Sequence, residues 1–156
     1  MQAEMMNPEQ FKEKTLINRY IQNFHLFYRH YNSTNGIGIS YVFLEGAKSV
    51  LHEYVTFLET NRKKNKGRIT AINAHIKYCD ALIQYCKDAR KEAKDYLEEG
   101  LELFRKSGNR YNAEILEKQL TQIEKPDLKV PFVDRTLNFV FVEPNTENEK
   151  SSSITV

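Results

Sequence analysis

Three groupings of residues in this 156-residue chain have the types and spacing to do chemistry. Arg62, Lys63, Lys64, Lys66 and Arg68 place five positive charges within seven residues, enough to attract phosphate, an acidic lipid surface or an acidic protein partner. No aromatic side chain interleaves them, so a stacking platform for single-stranded bases is not part of the pattern. Cations also gather at helix C-termini because the macrodipole favours them there, which makes a solvated helix end the plain reading of the cluster. Arg68 and His75 fall two turns apart on one helix face, where an imidazole can act as general acid or base and a guanidinium can stabilise a phosphate. His75 and Cys79, at i,i+4 spacing, can supply two metal ligands from one face, which is too few for a site.

Other signatures are missing. None of the four histidines has Glu three residues before it, as di-iron bundles require, and no Cys-x-x-Cys occurs. Gly36-Ile37-Gly38 lacks the third glycine and the preceding strand of a dinucleotide fingerprint, and no Walker-A sequence exists. Cys79 and Cys86 lie seven residues apart in a helical pattern, about 10 Å at 1.5 Å rise per residue, beyond disulfide reach. They are expected to be reduced core residues. No cofactor and no metal are expected, and no constellation of acid, base and nucleophile points to an enzyme.

Arg68 and His75 resemble, on those two residues alone, the Arg-x(4–6)-His motif of HEPN-type ribonucleases, which are helical bundles of this size. The resemblance implies RNA cleavage by two such motifs meeting across a dimer. Ala74-His75-Ile76-Lys77-Tyr78 departs by one residue in register from the His-x-Leu-Lys-Gly pattern of phosphotransfer bundles. The segment Tyr96 to Leu120 resembles one step of a tetratricopeptide array, but one unit is visible where a stable solenoid needs about three.

The elements that must position these residues are helical. The composition is 40% hydrophobic and 28% charged with six Gly and four Pro, too apolar for disorder and too poor in breakers for a β-sandwich. A net charge of +2 lacks the excess of a nucleic-acid module. No apolar run reaches the length of a signal peptide or a membrane span, so an intracellular, most simply cytoplasmic, location is expected.

Asn7-Pro8-Glu9-Gln10 announces a first helix over 8–31, with a cap side chain, Pro at the first helical position and Gln three residues after the cap. A second helix is predicted over 40–62, opened by Ser40 and closed by the basic cluster and Gly67. From Ile69 a seven-residue pattern runs through Ile72, Ile76, Cys79, Ile83, Cys86, Arg90, Ala93, Leu97, Gly100 and Phe104. Such a pattern is the seam of a coiled coil; its charged middle from Lys87 to Asp95 either projects as a solvated helix or breaks the span in two, and the absence of Pro or a turn dipeptide favours one continuous helix of about 39 residues over 68–106. Ser107-Gly108-Asn109 stops that helix and caps a fourth over 109–124.

After Pro126 the pattern changes, and Thr136 to Val142 alternates as a strand. A lone strand must satisfy its backbone by packing along its own bundle, by pairing with its copy in a dimer, or by adding to a partner's sheet edge. The polar stretch from Asn145 is expected to be disordered, although Ser153-Ile154-Thr155-Val156 fits a loose PDZ-ligand pattern.

The fold expected is therefore all-α: a four-helix bundle over 1–126 with one long third helix, an extended segment over 127–144 and a disordered tail over 145–156. The function expected is that of a non-enzymatic adaptor or assembly subunit that binds another protein or a second copy of itself, through Leu137, Phe139 and Phe141 or through Arg62, Lys63, Lys64, Lys66 and Arg68. The alternative is a nucleic-acid-directed helical protein, either a ribonuclease using Arg68 and His75 or a binder using the basic cluster at 62–68.

Overall fold

The computed structural model describes residues 7–33, 40–124, 137, 140–142 and 153–155. Five helices account for nearly all of them: α1 Pro8–Ser33, α2 Tyr41–Glu59, α3 Lys66–Cys86, α4 Arg90–Lys106 and α5 Arg110–Gln122. Among the described residues the protein is all-helical apart from two three-residue strands, β1 Val140–Val142 and β2 Ser153–Thr155. Among the described residues no helix is long and apolar enough to cross a membrane.

The helices pack in chain order, each against the next, in a bundle-like stack. One ion pair or more ties each successive pair: Arg19–Glu53 between α1 and α2, Lys48–Asp80 between α2 and α3, Lys77–Glu99 between α3 and α4, and Arg105–Glu117 between α4 and α5. Successive helices are antiparallel: Glu13–Tyr54 and His30–Phe43 join α1 to α2, Leu58–Asn65 and Lys48–Asp80 join α2 to α3, Tyr85–Arg90 and His75–Phe104 join α3 to α4, and Arg90–Ile123 and Gly100–Leu116 join α4 to the α5 end. Helices α1 and α3 therefore run parallel, and Glu13–Arg68, Tyr20–His75 and Phe24–Tyr78 bridge them at a nearly constant separation of about 55 positions.

The single long third helix is not observed. The predicted span is divided into α3, of 21 residues, and α4, of 17. Asp88 adopts the left-handed conformation, with φ 64°, and turns the chain back. Its N–H donates to the Tyr85 carbonyl at 3.0 Å and that of Ala89 to the Gln84 carbonyl at 2.9 Å. These two bonds close a Schellman motif, which satisfies the last carbonyls of α3. Gly108, with φ 80°, ends α4 in the same way: its N–H donates to Arg105 at 3.1 Å and that of Asn109 to Phe104 at 3.0 Å. The charged stretch from Lys87 to Asp95 is thus a corner and the start of α4, rather than a projecting helix.

The coiled-coil seam also reads differently in three dimensions. Ile72, Ile76, Cys79 and Ile83 are buried as the seven-residue pattern requires, but Ala71, Ala74, His75, Tyr78, Ala81 and Leu82 are buried as well. Burial around most of a helix circumference marks a central element rather than one strand of a two-helix seam. Helix α3 is central because α2 and α4 pack against it, aromatic side chains of α1 reach it, and β1 lies against it. Gly100 lets α4 approach closely, since a Cβ there would meet Leu116 Cδ2 at 3.2 Å and the Ala74 carbonyl oxygen at 3.4 Å.

The extended segment pairs within its own chain. Val140, Phe141 and Val142 face Thr155, Ile154 and Ser153 in an antiparallel ladder. Leu137 is buried at 7% exposure as part of the helical core. Ser153–Thr155, within the stretch from 145 expected to be disordered, supply β1 with the backbone partner that a lone strand lacks.

Candidate partner-binding groove

The basic cluster sits where three elements converge. Helix α1 begins at a cap made by Asn7, whose Oδ1 accepts the Gln10 N–H at 2.8 Å. Helix α2 ends at Glu59, earlier than predicted, because side chains take its last carbonyls: Thr60 Oγ1 donates to Phe57 at 2.8 Å and Asn65 Nδ2 to Leu58 at 3.1 Å. With that amide turned back toward α2, Asn65 occupies the N-cap position of α3 without capping it. The connection 60–65 is thereby held against the end of α2, and the lysines of the cluster fall on it and on the first turn of α3.

One carboxylate locks the three elements together. Glu13 Oε2 accepts from Arg68 Nη1 at 2.5 Å and from the Tyr54 hydroxyl at 2.6 Å, tying α1 to α3 and to α2. Tyr54 is fully buried, and that burial, followed by the bond to the carboxylate, pushes its phenol well above the usual tyrosine range. Charge-assisted bonds in a partly buried setting are worth more than exposed ion pairs, so Glu13 is a structural anchor for this corner.

The result is a groove of about 600 Å³ lined by the start of α1, the end of α2, the connection and the first turn of α3. Asn7, Gln10, Thr60 and Asn61 supply neutral polar groups, and the four cations Lys63, Lys64, Lys66 and Arg68 outnumber the two carboxylates, Glu9 and Glu13. The cations are not equivalent. Arg62 is neutralised by Glu59 at 2.6 Å, and Arg68 by Glu13. Lys63, Lys64 and Lys66 are exposed, and among the described residues no carboxylate lies within ion-pair distance of them. They are the charge the groove can offer to another molecule.

Arg68 and His75 are not brought together as a catalytic pair. Arg68 is spent on Glu13, whereas His75 is 1% exposed, with Tyr20 at 5.8 Å and Phe104 at 5.0 Å from its ring. An RNA phosphate has no path to an imidazole enclosed in this way. Cys79 is also fully buried, and desolvation raises its thiol pKa well above the ordinary value. Among the described residues no group of three or more His, Cys, Asp or Glu side chains is placed so that it could hold a metal ion.

The two predicted partner-binding sets are separate in the fold. Lys63, Lys64, Lys66 and Arg68 line the groove, with Arg62 on its exposed shoulder. Leu137 is in the core, Phe141 is in β1 opposite Ile154, and Phe139 lies outside the described residues. Asn7, Gln10, Glu13, Thr60 and Asn61 belong to the groove but carry no signal of it in the sequence. The Asn7 cap was legible, yet nothing local says that the first turn of α1 meets a connection more than fifty positions later.

No family model, curated protein or solved structure matches this chain.

Proposed function

We propose that this protein is a non-enzymatic helical adaptor or assembly subunit, and that it binds an acidic segment of a partner protein in the groove at the α2–α3 corner. The supporting observation is that Lys63, Lys64 and Lys66 stay uncompensated on the groove rim while the other two cations of the cluster are neutralised internally. The neutral amides and hydroxyls between them suit carboxylates and peptide groups. The corner is rigidly built, held by Glu13, Tyr54 and Asn65, so little ordering entropy opposes docking.

The test is a labelled acidic peptide of about a dozen residues, titrated by fluorescence anisotropy with an RNA oligonucleotide of equal charge in parallel. Salt-sensitive peptide binding is expected, weakened by about tenfold or more in Lys63→Glu/Lys64→Glu/Lys66→Glu. The lysines are exposed, so that variant keeps its helical circular dichroism. Tighter binding of the RNA, lost in the same variant, moves the reading to the nucleic-acid alternative, and binding of neither probe overturns both.

A further inference from the structure

A second charged surface lies on α4. Asp95, Glu98, Glu99 and Glu102 fall at positions i, i+3, i+4 and i+7 of the helix and share one side of it, beside an open depression of about 580 Å³ that Lys77 and Leu103 complete. Lys77 pairs with Glu99 at 3.0 Å and Lys91 approaches Asp95 at 3.9 Å. Glu98 and Glu102 are exposed, and among the described residues no cation is within ion-pair distance of either. They stand four apart, with Lys94 four residues before Glu98 and Lys106 four after Glu102, so helix neighbours offset only part of their mutual repulsion.

The net charges of the two linings are opposite in sign. Three uncompensated lysines cluster at the α2–α3 corner, and uncompensated carboxylates cluster along α4. They cannot neutralise each other within one molecule. Lys77 fixes the ridge about eleven residues along α3 from Lys66, which is about 16 Å at 1.5 Å rise per residue, far beyond an ion pair. The whole chain carries a formal net charge of only +2, so long-range repulsion between copies is slight and local complementarity governs their approach.

We infer that the acidic occupant of the basic groove is the α4 ridge of a second copy of this chain, with Glu98 and Glu102 set against Lys63, Lys64 and Lys66. The inference rests on the groove being the partner-binding surface, as proposed above. The two patches differ, so a single contact is heterologous and can propagate, whereas two reciprocal contacts close a dimer. Either arrangement depends on salt.

Sedimentation equilibrium of the full chain, at about 50 mM and about 500 mM salt, tests this. The expected result is a species of at least twice the 18.4 kDa chain mass at low salt, with association weakened by about tenfold or more at high salt. The groove variant Lys63→Glu/Lys64→Glu/Lys66→Glu and the ridge variant Glu98→Lys/Glu102→Lys are each expected to associate less than the natural chain. A mixture of the two variants is expected to form heteromers, because reversed ridge and reversed groove are again complementary. A natural chain that stays monomeric at low salt while still binding the acidic peptide overturns self-association and leaves the adaptor reading intact. A monomer that also fails to bind the peptide overturns both. Association that is indifferent to salt, or that persists in both variants with no heteromer in the mixture, assigns the contact to another surface and overturns the inference.

Discussion

At the end of α3 the chain turns through Lys87-Asp88-Ala89, and 20 positions later, at the end of α4, it turns through Ser107-Gly108-Asn109. The same pair of hydrogen bonds closes both corners, and each places one residue in the left-handed region. The second corner uses the residues that physics favours. Gly108 takes a positive φ without a Cβ penalty, and Asn109 Oδ1 accepts the Asn112 N–H at 2.9 Å to cap α5. The first corner manages with Asp88 and with Ala89, which has no side chain able to cap α4. Equal backbone geometry therefore does not require equal sequence, but the two corners should respond in opposite directions to the same kind of change.

The largest effects are expected at the left-handed residues. Gly108→Ala introduces a Cβ where φ is positive and should cost about 1–2 kcal/mol, whereas Asp88→Gly removes one and should stabilise by up to about 1 kcal/mol. Urea denaturation of both variants checks this, and a loss of stability in Asp88→Gly would show that the Asp88 side chain contributes more than its backbone strain costs. The caps should give a similar but smaller contrast. Asn109→Ala is expected to lose about 1 kcal/mol, and Ala89→Asn to gain a few tenths to about 1 kcal/mol, by thermal unfolding.

The smallest effect concerns a thiol beside the first corner. Burial raises the pKa of Cys86 from its ordinary value of 9.0 to about 11. A thiol whose pKa is higher in the folded than in the unfolded chain stabilises fully below the unfolded value, and that stability is lost as pH rises from about 9 to about 11. At pH 8 Cys86 should react with iodoacetamide far more slowly in the folded protein than in urea, at about a hundredth of the thiolate fraction. Asp88→Gly should not accelerate that reaction unless the glycine loosens the end of α3.

The same contrast explains what was legible in the sequence. Ser107-Gly108-Asn109 could be read directly, because glycine after a helix and asparagine before one each carry a local physical reason. Lys87-Asp88-Ala89 could not, because Lys and Ala are good helix formers and Asp is only a mild objection. The seven-residue spacing also carried across the corner, weakened there by Arg90 and its charged neighbours, since Ile83 closes the buried face of α3 and Ala93 and Leu97 open that of α4. Two short faces meeting at a turn imitated one long seam. The basic cluster was similarly legible as charge, but not as a groove, because Asn7, Gln10 and Glu13 reach it only through tertiary packing. Which cations are available was hidden as well, since Glu13 neutralises Arg68 from 55 positions away.

The chain-order stacking of the helices has a kinetic consequence. Most packing contacts close either one helical hairpin or the step to the next parallel helix, so native structure can be gained in small loops, each closed at little entropic cost. Low contact order of this kind goes with fast folding and with a gradient of local stability from the middle outward. Helix α3 has neighbours on most sides, whereas among the described residues α1 has no preceding helix and α5 no following one to cover its outer face. The ends of the stack should open first and most often, and the amides of α3 should be the last to exchange with solvent.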